Sequence, residues 1–193
     1  MTTEIVREVV DADTIQSRVA QLGAELTKSL DGEIPVMVSI LNGSFMFLTD
    51  LARAMDSNVE LDFLSLSSFG GETRVNIQMD ISTDVTDRHV VIVEDIIDTG
   101  MSLAYLREVM SNRGAASVRT VALLDKVKRR IVNVPVELRG FEVGEEHLLG
   151  YGLDWEGRFR GLPSLWAVLN IPAFQDDPEV LAVAAYDSDR LRT

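Results

Sequence analysis

The sequence predicts an α/β fold, a central and mainly parallel sheet flanked by helices. Two observations carry this. The order strand, loop, helix, strand occurs twice, over 35–66 and over 90–124. The run VVIV at 90–93 is apolar at every position, as a strand covered on both faces is, whereas a half-exposed strand would alternate. Length adds a bound: 193 residues suit one compact domain with a single substantial core.

The elements follow in order. DADTIQSRVAQLGAELTKSL (11–30) carries apolar residues at helical spacing after an Asp/Thr-rich start, and Asp31-Gly32 closes it. PVMVSI reads as a strand, LNGS as a turn, FMFLTDLARAMD as an amphipathic helix and VELDFLSL as a second strand. SSFGGETRVNIQMDIST (67–83) is rich in Gly, Ser and Thr before becoming extended, which predicts a mobile hairpin-like loop. VVIVED is then a strand, IIDTG a loop, MSLAYLREVMSNRG a helix closed by Gly114, and VRTVALL a strand. After Lys126 the helical pattern stops. The short segments VPVEL, HLLGY and WAVLN, with Gly and Pro between them, predict an irregular or antiparallel cap. The stretch after Pro172, broken at QDDPEV, reads as a peripheral tail.

Composition excludes several classes. No basic start or cleavage pattern marks the N-terminus, and no apolar run approaches the roughly 18 residues of a membrane span, so a soluble cytoplasmic protein is expected without membrane partners. Without cysteine there is no disulfide framework and no thiolate metal site. A formal net charge of −13 disfavours nucleic acid as a partner, although KVKRR (126–130) is locally basic. An acidic chain that handles anions must use a few placed cations, backbone N–H groups or a divalent metal.

The chemistry concentrates in VVIVEDIIDTGMSL (90–103). Ligands of open parallel sheets bind at the carboxyl ends of strands, where loops enter helix N-termini. Asp98, Thr99, Gly100 and Ser102 lie where a helix begins, so free N–H groups, the helix dipole and two hydroxyls form a cradle for phosphate. Glu94 and Asp95 cannot grip that phosphate. They suit sugar hydroxyls and a magnesium ion, while Asp98 suits a proton acceptor or electrostatic stabiliser, and a phosphorylated sugar accounts for all of them. Asp-Thr-Gly before a helix is equally an ordinary N-cap, and acidic pairs after strands also occur in phospho-acceptor domains. No Walker motif precedes any helix.

VVIVEDIIDTGMSL resembles the phosphoribosyl pyrophosphate motif of the type I phosphoribosyltransferases, in the version of their hypoxanthine-guanine (6-oxopurine) branch. LNGSFMFLTDL, LSSFG, ALLDK, VPVEL and GYGLDWEGRFRGLP agree with that family in order and spacing, so the resemblance covers roughly residues 5 to 171. It implies one phosphoribosyltransferase domain over 1–193. The core would span about 35–125, and a small irregular hood over the base site would come from the N-terminal segment and about 126–171. Residues 172–193 would be an extension of unknown role.

The implied reaction moves the phosphoribosyl group from phosphoribosyl pyrophosphate to purine N9 and is Mg2+-dependent. The resemblance assigns the 5-phosphate to Asp98, Thr99, Gly100, Met101 and Ser102, the ribose hydroxyls to Glu94 and Asp95, and acid/base work at purine N7 to Asp98. Pyrophosphate falls to Leu41, Asn42, Gly43 and Arg160, with a cis peptide between the first two. The purine falls to Lys126, His147, Leu148 and Asp154. Lys126 donates to O6, which favours oxopurines over adenine. Metal would be held by Glu94, Asp95 and Asp154. Ser68 and Phe69 would belong to a mobile loop that closes over the centre and excludes water, hinged at Gly70 and Gly71. Trp155 would pack in the cap. The implied assembly is a homodimer or homotetramer.

Three positions depart from the family. Asn42 stands where Lys or Arg is usual, Phe69 where Tyr is usual, and His147 where an aromatic, usually Phe, stacks on the base. The loop before VVIVED is several residues short. The alternative reading is a regulatory or inactive paralogue that binds nucleotides or RNA without turnover.

Overall fold

The structure is a computed structural model that describes residues 4–68 and 75–190. The chain forms two compact units, Gln16–Glu145 and a smaller one from Met1–Ile15 with Glu146–Thr193.

The larger unit contains a six-stranded sheet built from β2 (Val36–Leu41), β3 (Glu60–Ser68), β4 (Val75–Met79), β5 (His89–Ile97), β6 (Ser117–Asp125) and β7 (Leu138–Glu142). Their order is β4-β3-β2-β5-β6-β7, and only the β3–β4 pair is antiparallel. VVIV is apolar throughout because β5 lies between β2 and β6 with both faces covered. Val90, Val91, Ile92 and Val93 are all fully buried. One face carries Val36, Val38, Val90 and Ile92 against Leu103, Leu106 and Met110 of α3 (Met101–Asn112). The alternate residues Met37, Val91 and Val93 point to the opposite face, and α2 (Phe45–Ala54) packs on β2 and β5. Burying each such side chain contributes about 1.5–3 kcal/mol.

Helix α1 (Ala12–Leu30) starts where the residue pattern places it: Asp11 accepts the Thr14 amide at 2.8 Å and its hydroxyl at 2.9 Å. Along its buried face, Gly23 meets the end of α2 so closely that a Cβ there would lie 2.6 Å from the Ala54 carbonyl oxygen.

Three expectations are corrected. Strand β5 runs to Ile97, because Ile96 and Ile97 stay paired with Leu124 and Asp125 of β6, so the loop shrinks to Asp98–Gly100. The segment after Lys126 is not all cap. A short 3-10 turn at Val127–Arg129 leads to β7, which begins only at Leu138, after most of VPVEL, and extends the main sheet in parallel. The hairpin is confirmed as β3–β4, while Phe69, Gly70 and Gly71 lie outside the described residues.

The smaller unit is an antiparallel sheet of β1 (Val6–Val10), β9 (Leu165–Val168) and β8 (His147–Leu149), in the order β1-β9-β8. HLLGY and WAVLN supply two of these strands. The third correction concerns the tail, which is neither peripheral nor irregular. It forms α4 (Ile171–Asp176) and α5 (Glu179–Arg190), and Phe174 and Leu181 are fully buried against Val6, Leu149, Trp166 and Val168. Asn170 caps α4 by accepting the Ala173 amide at 3.1 Å, and QDDPEV marks the break between the helices.

Candidate active site

In the larger unit, β2, β5 and β6 deliver their residues to one sheet edge. Leu41 ends β2, the Leu41–Asn42 peptide is cis, and the turn enters α2 through Ser44. The Ser44 hydroxyl donates to the Ile40 carbonyl at 2.5 Å and lies 2.6 Å from the Ser39 hydroxyl, which pins the turn to its own strand. Gly43 faces Asp95 directly. A Cβ at position 43 would lie 1.6 Å from Asp95 Oδ2, so any side chain there would have to displace that carboxylate.

Asp95 Oδ1 accepts the Ile96 amide at 2.9 Å. Its neighbour Glu94 is 7 % exposed, and burial, reinforced by the Asp95 charge, pushes its carboxyl well above the ordinary range. Two adjacent carboxylates, one desolvated, fit a cation shared with the ribose hydroxyls. Among the described residues no cluster of three or more His, Cys, Asp or Glu could hold a metal by itself.

Gly100 turns the chain into α3 at φ +83°, a left-handed conformation that favours glycine, and the Thr99 hydroxyl accepts the Met101 amide at 3.4 Å. Glu94, Asp98, Thr99, Gly100 and Ser102 line one cavity of about 190 Å³ with Leu66 and other apolar residues. Glu94, Asp98 and the helix start therefore line a single space. Met101 lies at the first position of the helix.

Asp98 is paired in a way the residue pattern did not announce. Its Oδ1 lies 2.7 Å from Arg129 Nε, an ion pair whose alignment falls short of a hydrogen bond. The guanidinium comes from KVKRR, and its position just past Lys126 was the available signal. Lys126 itself is 7 % exposed, its amide donates to the Ile97 carbonyl at 2.9 Å, and its Nζ lies 3.4 Å from the Glu145 carbonyl. Within the cluster Lys126 is buried and Arg130 also turns inward, to Asp125.

His147, Leu148, Asp154 and Arg160 belong to the smaller unit. Leu148 is buried in β8 opposite Ala167, and His147 at the strand start is exposed. The His147 ring meets Trp155 edge-on at 5.2 Å, and Trp155 meets Phe174 edge-on at 5.1 Å, so the tryptophan packs as expected and also ties in the C-terminal extension. Asp154 and Arg160 hold one another: Arg160 Nη2 lies 2.7 Å from Asp154 Oδ1 and Nη1 donates to the Gly152 carbonyl at 2.6 Å, while the Gly157 amide donates to Asp154 Oδ2 at 2.7 Å. Arg158 instead pairs with Glu179 of α5 and lies over the Phe159 ring, which separates its role from that of Arg160. Ser68 ends β3, and Phe69 lies outside the described residues.

A glycine-led helix start lies beside the buried Glu94 and the partly buried Asp95, on a doubly covered parallel sheet. The profile of the phosphoribosyl transferase domain family matches residues 6–154, and the chain belongs to that family. The chain is 40 % identical over 164 residues to hypoxanthine-guanine phosphoribosyltransferase of Streptococcus pneumoniae R6, covering 83 % of this chain and 91 % of the relative. It is 43 % identical over 161 residues to hypoxanthine phosphoribosyltransferase of Escherichia coli K12, with 80 % and 90 % covered. A crystal structure of a hypoxanthine-guanine phosphoribosyltransferase from Bacillus anthracis superposes with a TM-score of 0.83 at 33 % identity, covering 86 % of this chain and all of that one. Within the family, the chain falls in the hypoxanthine-guanine branch.

Proposed function

We propose that this chain catalyses hypoxanthine-guanine phosphoribosyl transfer in purine salvage. The phosphoribosyl group of phosphoribosyl pyrophosphate passes to N9 of hypoxanthine or guanine, and of xanthine where His147 permits it, giving the nucleotide and pyrophosphate. The observation that carries this reading is the cavity in which Glu94, Asp98, Thr99, Gly100 and Ser102 converge.

The C1′–oxygen bond to pyrophosphate breaks as the C1′–N9 bond forms, and positive charge builds on the sugar in between. Glu94 and Asp95 accept from the ribose hydroxyls and place negative charge beside that developing cation. The turn Asp98, Thr99, Gly100, Met101, Ser102 holds the 5-phosphate, and its α3 amides need no rearrangement to do so. Asp98 takes the proton that leaves N7 as N9 bonds, and returns it in the reverse direction. Leu41, Asn42, Gly43 and Arg160 meet the leaving pyrophosphate. Lys126 donates to purine O6, and His147, Leu148 and Asp154 complete the base contacts. Closure by Ser68 and Phe69 keeps water from the activated sugar.

Glu94 and Asp95 would hold magnesium, which when bound would supply positive charge to offset the negative charge of the pyrophosphate. Asp154, whose two oxygens meet Arg160 and the Gly157 amide, would contribute to holding a second ion. Among the described residues no helix is long and apolar enough to cross a membrane. The proposal extends to a cytoplasmic homodimer or homotetramer.

The test is nucleotide formation with magnesium and phosphoribosyl pyrophosphate, offering hypoxanthine, guanine, xanthine, adenine and uracil separately. Turnover with oxopurines and none with adenine or uracil is expected. No turnover with any base, in folded protein, would replace this reading with a paralogue that binds without reacting.

A further inference from the structure

We infer that Arg130, a residue with no assigned part in substrate binding, is a positioning residue that locks the base-reading Lys126 and the phosphate-holding turn at Thr99–Gly100 into one rigid piece. The inference rests on the proposed activity and concerns how two subsites of the larger unit are held in register.

Three contacts support it. Arg130 Nη2 donates to Asp125 Oδ1 at 2.9 Å, and Asp125, 1 % exposed, is the last residue of β6 and the covalent neighbour of Lys126. The segment that Arg130 anchors then bonds to the phosphate turn, since the amides of Ile131 and Val132 both donate to the Thr99 carbonyl, at 2.9 and 3.1 Å. The same segment packs on Gly100. A Cβ there would lie 3.0 Å from the Val132 carbonyl oxygen, 3.1 Å from Val134 Cγ1 and 3.5 Å from Arg130 Cδ. A continuous path therefore runs from Lys126 through Asp125 and Arg130 to the main chain of Thr99 and Gly100.

The form of the side chain also matters. Arg130 Nε is buried with no acceptor among the described residues, a desolvation cost that methionine would avoid and that packing alone does not require. The fork of the guanidinium spans from Asp125 to the Val134 carbonyl, 3.5 Å from Nη1, which a single ammonium cannot do. Arg139 supplies a natural control. It reaches the other oxygen of Asp125 at 3.5 Å, is half exposed, and touches neither the 131–132 segment nor Gly100 in any contact described above.

The experiment compares wild type, Arg130→Met, Arg130→Lys and Arg139→Met, measuring KM for phosphoribosyl pyrophosphate and for hypoxanthine at least 15 °C below each Tm. Loss of register raises both KM values together, by roughly tenfold in Arg130→Met and about threefold in Arg130→Lys, and leaves Arg139→Met within about twofold of wild type. If Arg130→Met does not fold, Arg130→Lys carries the test: both KM values raised supports the inference, and both unchanged overturns it. A rise in only one KM, or the same joint rise in Arg139→Met, also overturns it. Absence of wild-type turnover would instead overturn the activity on which the inference rests, so the two failures are distinguishable.

Discussion

Gly43 and Asp95 occupy adjoining space so closely that a methyl group on the first would sit 1.6 Å from a carboxylate oxygen of the second. Gly43 lies in the turn that follows β2 and Asp95 lies in β5, so the contact brings that turn against the neighbouring strand. Gly43→Ala must displace the Asp95 side chain, which can rotate, rather than the backbone, so the protein should fold. The expected result is a fall in kcat/KM of about 100-fold or more, since a misplacement near 1 Å costs that much, with Tm lowered by only a few degrees. Steady-state kinetics and a melting curve check both parts.

Glu94 makes a prediction whose sign follows from its burial. Its carboxyl titrates higher in the folded state than in the unfolded chain, so the folded state holds the proton more tightly. Stability is therefore lost as pH rises from the ordinary glutamate value, 4.5, toward the raised one, and the penalty stays constant above it. Glu94→Gln should melt about 2 °C or more above wild type at pH 7.5 without ligand, the gain vanishing near pH 4, while activity drops by about 100-fold or more. Melting across pH 4–8 reads the first part.

Asp62 behaves oppositely. Burial acts to raise its carboxyl, but hydrogen bonds from Thr83, Phe63 and Ser82 outweigh it and hold the group below the ordinary range. Its Oδ2 accepts the amides of Ser82 and Thr83, both at 2.8 Å, and so fastens the segment between β4 and β5. The stability it supplies is present above the unfolded value of 3.8 and is lost as pH falls through the lowered folded value. Asp62→Ala should cost about 2–3 kcal/mol at pH 7 and less at pH 3, measured by urea unfolding.

The residue pattern carried the strands, helices and acidic turn of the larger unit because their periodicity and apolar content reflect burial. It failed where tertiary contacts decide. Strand β7, LRGFE, is short, polar and at the sheet edge, and Gly140 is there because a Cβ would lie 2.4 Å from the Leu123 carbonyl oxygen. No local pattern encodes that. In α5 only Leu181 is fully buried among the described residues, with Val180, Ala184 and Ala185 partly buried and Val183 and Tyr186 exposed, so its sequence shows no continuous apolar face. In the candidate site, Glu94, Asp95 and Asp98 stood out because they follow the apolar run 90–93, whereas the extension of β5 to Ile97 and the partnership of Asp98 with Arg129 depend on tertiary contacts.

His147 should make base choice depend on pH. Imidazole is the side chain that titrates near neutrality, and here it is exposed and braced edge-on by Trp155. A protonated ring favours the xanthine anion, so the ratio of kcat/KM for xanthine to that for hypoxanthine, corrected for xanthine ionisation, should rise by about threefold or more from pH 8 to pH 6. His147→Phe should flatten that ratio, and a flat wild-type profile matching the variant would remove the idea.

The central claim is that the end of β5 and the start of α3 hold the reacting sugar. Its most direct test is hypoxanthine-dependent release of pyrophosphate from phosphoribosyl pyrophosphate by wild type and by the Glu94→Gln/Asp95→Asn double variant, each shown to be folded. One pyrophosphate per nucleotide in wild type, with at least a 1,000-fold slower rate in the double variant, is the predicted result. A double variant that keeps the wild-type rate would place the chemistry elsewhere in the protein.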